Sequence, residues 1–510
     1  MRVPARPPVG VAFKSRLVWF LFCLALPWLA ASVAAQAAQA YPTGATMPAG
    51  ATTMPAGTPT TPDTAPRRPA RPRYVVYLNW DGFGYQEYLL ANQPPYAGTP
   101  NLNALLADGA LFTSTSTGVP SITQPMQTSL VTGAWPAVTG NYYRGYDKQN
   151  NLLIQTGREN AAQTLAEVFA AAGWPTASVQ QFTLLDRGTR PGDPLHLYLE
   201  PHGPFSNRAA AALDLINLRP VRSGDETVTM LERPRFLAIY ADDLDALGHN
   251  LEPFHGVPIA KDEAGRLARV LKELDGEYQQ PYGLEGMDQV LGKLIQGFKD
   301  LGLYDETLFV LASDHGMTGY SGMSSLPDLL AVLGSLGYRA QLLRPGEQAS
   351  PDTQIVLWTV GLQMHFAFRW DITPEEYNRI VAALAARDWY GGHYSRAELA
   401  ALGAHPFTGD LLVWPRPPYN FKTEVLHAYE ARGQHDTPDW TSRNNFLALA
   451  GPGVKRGAVI VTPVDVIDLA PTVTYLAGLP APAQSQGRVL FEALEGGNDA
   501  DGLTQDLGGR

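Results

Sequence analysis

The sequence predicts an α/β fold, a mostly parallel central sheet covered by helices on both faces. Three observations predict it. Short apolar runs bounded by turn formers read as buried strands, segments with apolar side chains at helical spacing lie between them, and several runs end abruptly in aspartate or histidine. Ligands of such sheets bind at the carboxyl ends of strands, so these polar endings mark one edge of the sheet as the candidate site.

Residues 1–40 come before the fold. They carry Arg2, Arg6, Lys14 and Arg16 and no acid, then an apolar run from Leu17 to about Ala31, then the small residues of "SVAAQAAQA". This is the build of a secretory signal peptide cleaved near Ala35 or Ala40, and it predicts a secreted or periplasmic protein. An uncleaved anchor is the other reading, because the run is near the short limit for a membrane span. With the signal cut, no stable membrane insertion is expected. Cleavage removes four basic residues and no acid, moving the formal charge of the 510-residue chain from −11 to −15. A chain this acidic is a poor candidate for bulk nucleic-acid binding, and none is expected. The single cysteine, Cys23, lies within the signal, so the mature chain has no disulfide, no thiolate zinc site and no cysteine nucleophile. Residues 41–73, with the near-repeats "ATMPAG" and "ATTMPAG", are too poor in apolar side chains to fold and read as a disordered tether.

The body begins at Tyr74. "YVVYLNWDGFG" is a strand ending in Asp81 and a glycine turn. "NAAQTLAEVFAAAGW" predicts a helix capped by Asn160 and ending at Gly173. "RFLAIYADDLDALGHN" gives a strand over about Phe236 to Tyr240, ending in Asp242, Asp243, Asp245 and His249. Asp245 and His249 stand four apart and share a face if the segment is helical. "MDQVLGKLIQGF" places Met287, Val290, Leu291, Leu294, Ile295 and Phe298 on one stripe. The strand Leu308–Leu311 then runs into Asp314 and His315, and a later cluster puts His435 ahead of the strand-like "NNFLALAGPGV". Residues 252–282 read as a charged insertion. Residues 317–430, with strands "TQIVLWTV" and "MHFAFRW" and the helix "TPEEYNRIVAALAARD", read as a small α+β cap. The catalytic body is expected over 74–490, with a tail at 491–510.

Taken singly, each acidic or histidine cluster is matched by an ordinary cap or turn. Together they supply Asp81, Asp245, His249, Asp314, His315 and His435, enough for two metal sites with three protein ligands each. Two metals about 4 Å apart clamp the attacking and leaving oxygens in phosphoryl transfer. A nucleophile is still required.

The stretch "GVPSITQPMQTSLVTGAWPAVTGNYYRGYD" supplies one, through Pro120, Thr123, Pro125, Leu130 to Gly133, Pro136, Gly140, Asn141 and Tyr142. It resembles the nucleophile segment of the type I phosphodiesterase and nucleotide pyrophosphatase family of the alkaline phosphatase superfamily. The other clusters follow in that family's order, including "SDHGM" and the Asp-x-x-Gly-His of Asp245, Gly248 and His249. The resemblance implies an alkaline-phosphatase-like fold over about 74–490. It implies one metal on Asp245, His249 and His435 and another on Asp81, Asp314, His315 and Thr123, with Thr123 attacking phosphorus to give a phospho-threonine intermediate. The implied cofactors are two divalent ions, with zinc the expected identity, and the implied partner is a small phosphorylated substrate. Monoester or phosphonate hydrolysis on the same scaffold, or a catalytically impaired metal-stabilised binding protein, are the alternatives; a mature chain without cysteine argues against a cysteine-dependent sulfatase.

Two departures bear on the substrate. Met126 stands where the family has Asn, so an amide donor to a phosphoryl oxygen is expected to be missing, with Gln124, Gln127 and Asn141 as substitute substrate-binding residues. "PAVTGN" also lacks the family's His-Gly-Ile. No basic cluster is evident beside Thr123. His196, His202, His255, His365, His393, His405 and His427 read as surface or core residues, and Asp242 and Asp243 either as residues that tune the metal histidines or as simply solvated carboxylates.

Overall fold

A computed structural model describes residues 70–423 and 430–497. The presumed signal, most of the tether, His427 and the end of the tail lie outside the described residues. Nine strands form the central sheet: β1 (Tyr74–Trp80), β2 (Gly109–Ser116), β3 (Thr176–Val179), β4 (His196–Leu199), β5 (Phe236–Ala241), β6 (Thr307–Ala312), β7 (Asn444–Ala450), β8 (Ala458–Ile460) and β9 (Val464–Asp465). The spatial order is β8-β2-β7-β6-β1-β5-β3-β4, with β9 paired to β2. β1 pairs parallel with β5 and β6, while β7 runs antiparallel to both β6 and β2.

Both faces of the sheet are covered, which explains why its strands are apolar without alternation. Val76, Leu78, Leu237, Ile239, Phe309 and Leu311 point into one core, and Val75, Tyr77, Phe236, Ala238, Leu308 and Val310 into the other. The stripe read from Met287 onward is the buried face of a helix over Met287–Asp300 that packs on the first core.

A second, five-stranded sheet lies within residues 340–415, in the order Ala340–Leu342, Ile355–Val360, Gln363–Phe368, Leu411–Pro415, Tyr390–Ser395. With the helices Leu326–Ser335 and Pro374–Ala385 it has its own apolar core, as an α+β cap requires.

Three details depart from the sequence reading. The helix expected to open at Asn160 spans Leu165–Ala171 and is capped by Thr164, whose side chain and that of Glu167 satisfy each other's backbone N–H groups. Asn160 instead accepts a hydrogen bond from the Ala162 amide. The expected insertion at 252–282 contains the helix Glu263–Asp275, with Arg266 and Arg269 buried against carbonyls of Leu247 and Gly248. Packed structure also continues past residue 490, since Ala493 and Leu494 are buried in the second core.

Candidate active site

The carboxyl edge of the sheet gathers the predicted residues. Asp81 follows β1 directly. Gly82 then turns at φ +73°, and a Cβ there would lie 3.0 Å from the Asp245 Cα, so glycine lets this loop pass its neighbour. β5 leads into a helix, α1 (Asp243–His249), which carries Asp245 and His249 one turn apart. Asp314 and His315 follow β6. His435 reaches the same edge for the opposite reason: it precedes β7, whose reversed direction puts its amino end there.

Two clusters result, Asp81 with Asp314 and His315, and Asp245 with His249 and His435, each with its ligand atoms within 4.8 Å of one another. The His315 and His435 rings stack with centroids 3.5 Å apart and join the two. No histidine outside these clusters shares in either group among the described residues.

The donor atoms suit divalent ions. Nδ1 of His249, His435 and His315 faces the carbonyl of Gly433 (2.8 Å), Ser121 (2.8 Å) and Gly316 (3.1 Å) respectively. A carbonyl only accepts, so the proton sits on Nδ1 and each Nε2 presents a lone pair to the site. Asp81 Oδ1 lies 3.2 Å from Nε2 of His315, and Asp245 Oδ1 lies 3.3 Å from Nε2 of His249. Both carboxylate oxygens are buried without a hydrogen-bond partner among the described residues. Acceptors facing acceptors in a buried site call for cations.

Electrostatics agree. Burial, then the nearby Asp314 carboxylate, push Asp81 well above the usual carboxylate range, and burial raises Asp314 as well. Burial would also raise Asp245, but a protonated His249 overrides it and holds that carboxyl well below its ordinary value, so a cation binding at Nε2 would take the place of that proton. Burial and the neighbouring His315 hold His435 well below the usual histidine range. Bound cations would relieve the repulsion among these carboxylates.

Thr123 opens a second helix, α2 (Thr123–Thr132), and its Oγ1 lies 3.2 Å from Nε2 of His315. The loop before it is tied to both clusters: Thr117 donates to the Asp314 carbonyl at 2.7 Å and Ser121 to that of His435 at 2.6 Å. As the first residue of the helix, Thr123 stands where the helix dipole favours negative charge.

A cavity of about 690 Å³ opens beside Thr123 and reaches the second sheet. Gln124 lines it. Gln127 does not: its fully buried amide donates to Asp314 Oδ2 at 3.1 Å and Asp81 Oδ2 at 3.4 Å, and accepts from Gln181. Asn141 is also fully buried, bonding Thr128 and the Gly157 carbonyl away from the cavity. The Met126 departure changes meaning too. That side chain is fully buried, with its sulfur 3.0 Å from the Gly118 amide, so position 126 faces the interior and not a phosphoryl group.

Asp242 and Asp243 do not touch the histidines of either cluster. Asp242 pairs with Arg208 at 2.6 Å, and Asp243 accepts from the Phe205 amide at 2.9 Å. The sequence reading missed Tyr240, whose hydroxyl donates to Asp81 Oδ2, and it missed Arg144, a cation lining the cavity. Tyr240 sits on β5, where its position beside a strand end was the available signal. Arg144 had none, because only the hairpin after Asn141 turns it to the cavity.

The family model described as type I phosphodiesterase / nucleotide pyrophosphatase matches residues 75–438. The chain belongs to that family. It is a hydrolase family whose members depend on metal, and its model spans both candidate ligand clusters. Ectonucleotide pyrophosphatase/phosphodiesterase family member 1 of Rattus norvegicus is 31% identical over 114 residues, 22% of this chain and 9% of that protein. The chain thus matches a small part of that relative's length. Murine ectonucleotide pyrophosphatase / phosphodiesterase 5 superposes with a TM-score of 0.54 at 15% identity, covering 80% of this chain and 96% of that one. An inactive variant of the same murine protein in complex with AMP gives 0.55 at the same identity and coverage. These likenesses establish the alkaline-phosphatase-like fold. No helix among the described residues is long and apolar enough to cross a membrane.

Proposed function

We propose that the chain is an exported two-metal hydrolase of phosphodiesters or nucleotide pyrophosphates, with Thr123 as the nucleophile. One observation carries the proposal: a hydroxyl lies 3.2 Å from His315, whose ring stacks on His435 of the other cluster, and the histidines of both clusters turn Nδ1 to backbone carbonyls. AMP bound to the murine fold relative supports a nucleotide-like substrate. The apolar run after Arg16 supports export.

Asp245, His249 and His435 would hold one divalent ion, and Asp81, Asp314 and His315 with Thr123 the other; zinc suits the nitrogen and oxygen donors. Such ions lower the pKa of a hydroxyl and neutralise charge on phosphoryl and leaving oxygens. The Thr123 oxygen attacks phosphorus, a P–O bond forms, and the bond to the leaving alcohol or phosphate breaks. Water then attacks the phospho-threonine, returning the hydroxyl and releasing the phosphorylated product. The helix dipole at Thr123 favours the negative charge on its oxygen and on the bound phosphoryl group. Tyr240 and Gln127 fix Asp81 and Asp314 from behind, so these carboxylates need not reorganise during turnover.

Hydrolysis of bis-p-nitrophenyl phosphate beside p-nitrophenyl phosphate, with metal analysis of the same sample, tests this. About two zincs per chain and faster cleavage of the diester are expected, with a fall of at least roughly a thousandfold in Thr123→Ala. A metal-loaded protein that cleaves neither ester contradicts the proposal and favours a binding protein. Faster cleavage of the monoester favours a phosphatase.

A further inference from the structure

The cavity beside Thr123 has a charge pattern that simple diester cleavage leaves unused. Among the described residues, the charged side chains lining it outside the two ligand clusters are Arg144, Arg344 and Lys422, with Asp436 the sole acid. This positive lining belongs to a chain of net charge −11.

Arg144 is the anchored member. It opens a short strand, Arg144–Asp147, immediately after Tyr143, which holds φ +63°, a left-handed conformation unusual for a tyrosine. Its Nε donates to the Gln155 side chain at 2.9 Å, Nη1 to the Thr359 carbonyl at 3.2 Å and Nη2 to the Tyr143 hydroxyl at 3.3 Å, with the guanidinium over the Tyr143 ring. All three acceptors are neutral. Among the described residues no carboxylate oxygen comes within 4.0 Å of this guanidinium, although Asp436 lies near enough to feel its charge. Three of its five N–H groups are used, and the remaining fork suits a bidentate anion. Two elements hold it, the Arg144 hairpin and the second sheet through Thr359, so its direction is set before any ligand arrives.

We infer that Arg144 binds a second anionic group of the substrate, a phosphate next to the one attacked by Thr123, and so selects phosphoanhydrides over simple diesters. This rests on the hydrolase reading above. Arg344, exposed on the second sheet's side of the cavity, adds charge at the entrance. Arginine is suited to this task because its planar fork matches two phosphate oxygens and stays charged at any working pH.

The test compares wild type, Arg144→Ala and Arg144→Lys on ATP, bis-p-nitrophenyl phosphate and p-nitrophenyl phosphate. In Arg144→Ala, kcat/KM for ATP is expected to fall at least ~30-fold more than for the diester, mostly through KM, with part of the loss regained in Arg144→Lys. Equal falls on ATP and the diester would overturn the inference, because Arg144 would then act on the attacked phosphoryl group or on the fold. So would a larger fall on the monoester than on ATP, or no change at all. Wild-type turnover of bis-p-nitrophenyl phosphate tests the hydrolase reading independently of that ratio. Calorimetric binding of pyrophosphate to the metal-loaded protein gives a readout without turnover. Affinity at least ~10-fold weaker in Arg144→Ala supports the inference, and equal affinity overturns it.

Discussion

Thr123 Oγ1 lies 3.2 Å from Nε2 of His315, where the amino end of α2 meets the carboxyl end of β6. Each partner is held by backbone: the His315 Nδ1 by the Gly316 carbonyl, and the approach to Thr123 by Ser121 on the His435 carbonyl. Thr123 and His315 are therefore positioned by the same loops, and the two candidate ligand clusters can be perturbed one at a time.

Asp245→Asn removes a charge from one cluster and leaves the other intact. Metal content by mass spectrometry is expected to fall from about two to about one per chain, with hydrolysis of bis-p-nitrophenyl phosphate reduced at least a hundredfold, about the scale of losing one strong transition-state contact. Retention of two metals would show that Asp245 is not a ligand.

Gln127 supports the other cluster through Asp81 and Asp314. Gln127→Ala is expected to weaken metal affinity by roughly 10- to 100-fold, the scale for residues that orient ligands. At saturating metal its KM for substrate stays near wild type, because the amide does not face the cavity. A rise in KM with unchanged metal affinity would restore Gln127 as a substrate-binding residue.

Met126→Asn replaces a fully buried thioether with an amide. Stability measured by denaturant is expected to drop by about 1–3 kcal/mol, since the amide would be buried without partners. No gain in kcat is expected. A gain would mean that position 126 reaches the phosphoryl group.

Glu87 gives a pH signature separate from the metals. Burial raises its carboxyl from 4.5 to about 7, and Oε2 has no hydrogen-bond partner among the described residues. Between those pH values the folded state keeps a proton that the unfolded chain has released. Stability therefore falls as pH rises from about 4.5 to 7, by roughly 1.4 kcal/mol per unit from this group. Glu87→Gln is expected to flatten this slope in melts across that range; an unchanged slope would refute the assignment.

The fold and the two candidate ligand clusters were legible because their signals are local. β1, β5 and β6 are apolar on both faces and end in the residues that matter, and Asp245 and His249 carry their spacing in sequence. His435 was legible as a ligand type, but its arrival depends on the reversed direction of β7, which no local pattern encodes. Side-chain direction was the weakest reading. Gln124 and Gln127 look equivalent in sequence, yet one turn of α2 sends the first to the cavity and the second to the carboxylates behind the site. Met126 read as a lost donor for the same reason. Arg144 was invisible because the cavity it serves is closed by Thr359 and Arg344, more than 190 residues away in sequence.

The central claim is that Thr123 itself carries the phosphoryl group. A phosphodiester made chiral at phosphorus with sulfur, hydrolysed in oxygen-18 water, reads this from the configuration of the product. Two successive in-line displacements, first by Thr123 and then by water, predict net retention at phosphorus. Inversion would mean that water attacks the substrate directly, and Thr123 would not be the nucleophile.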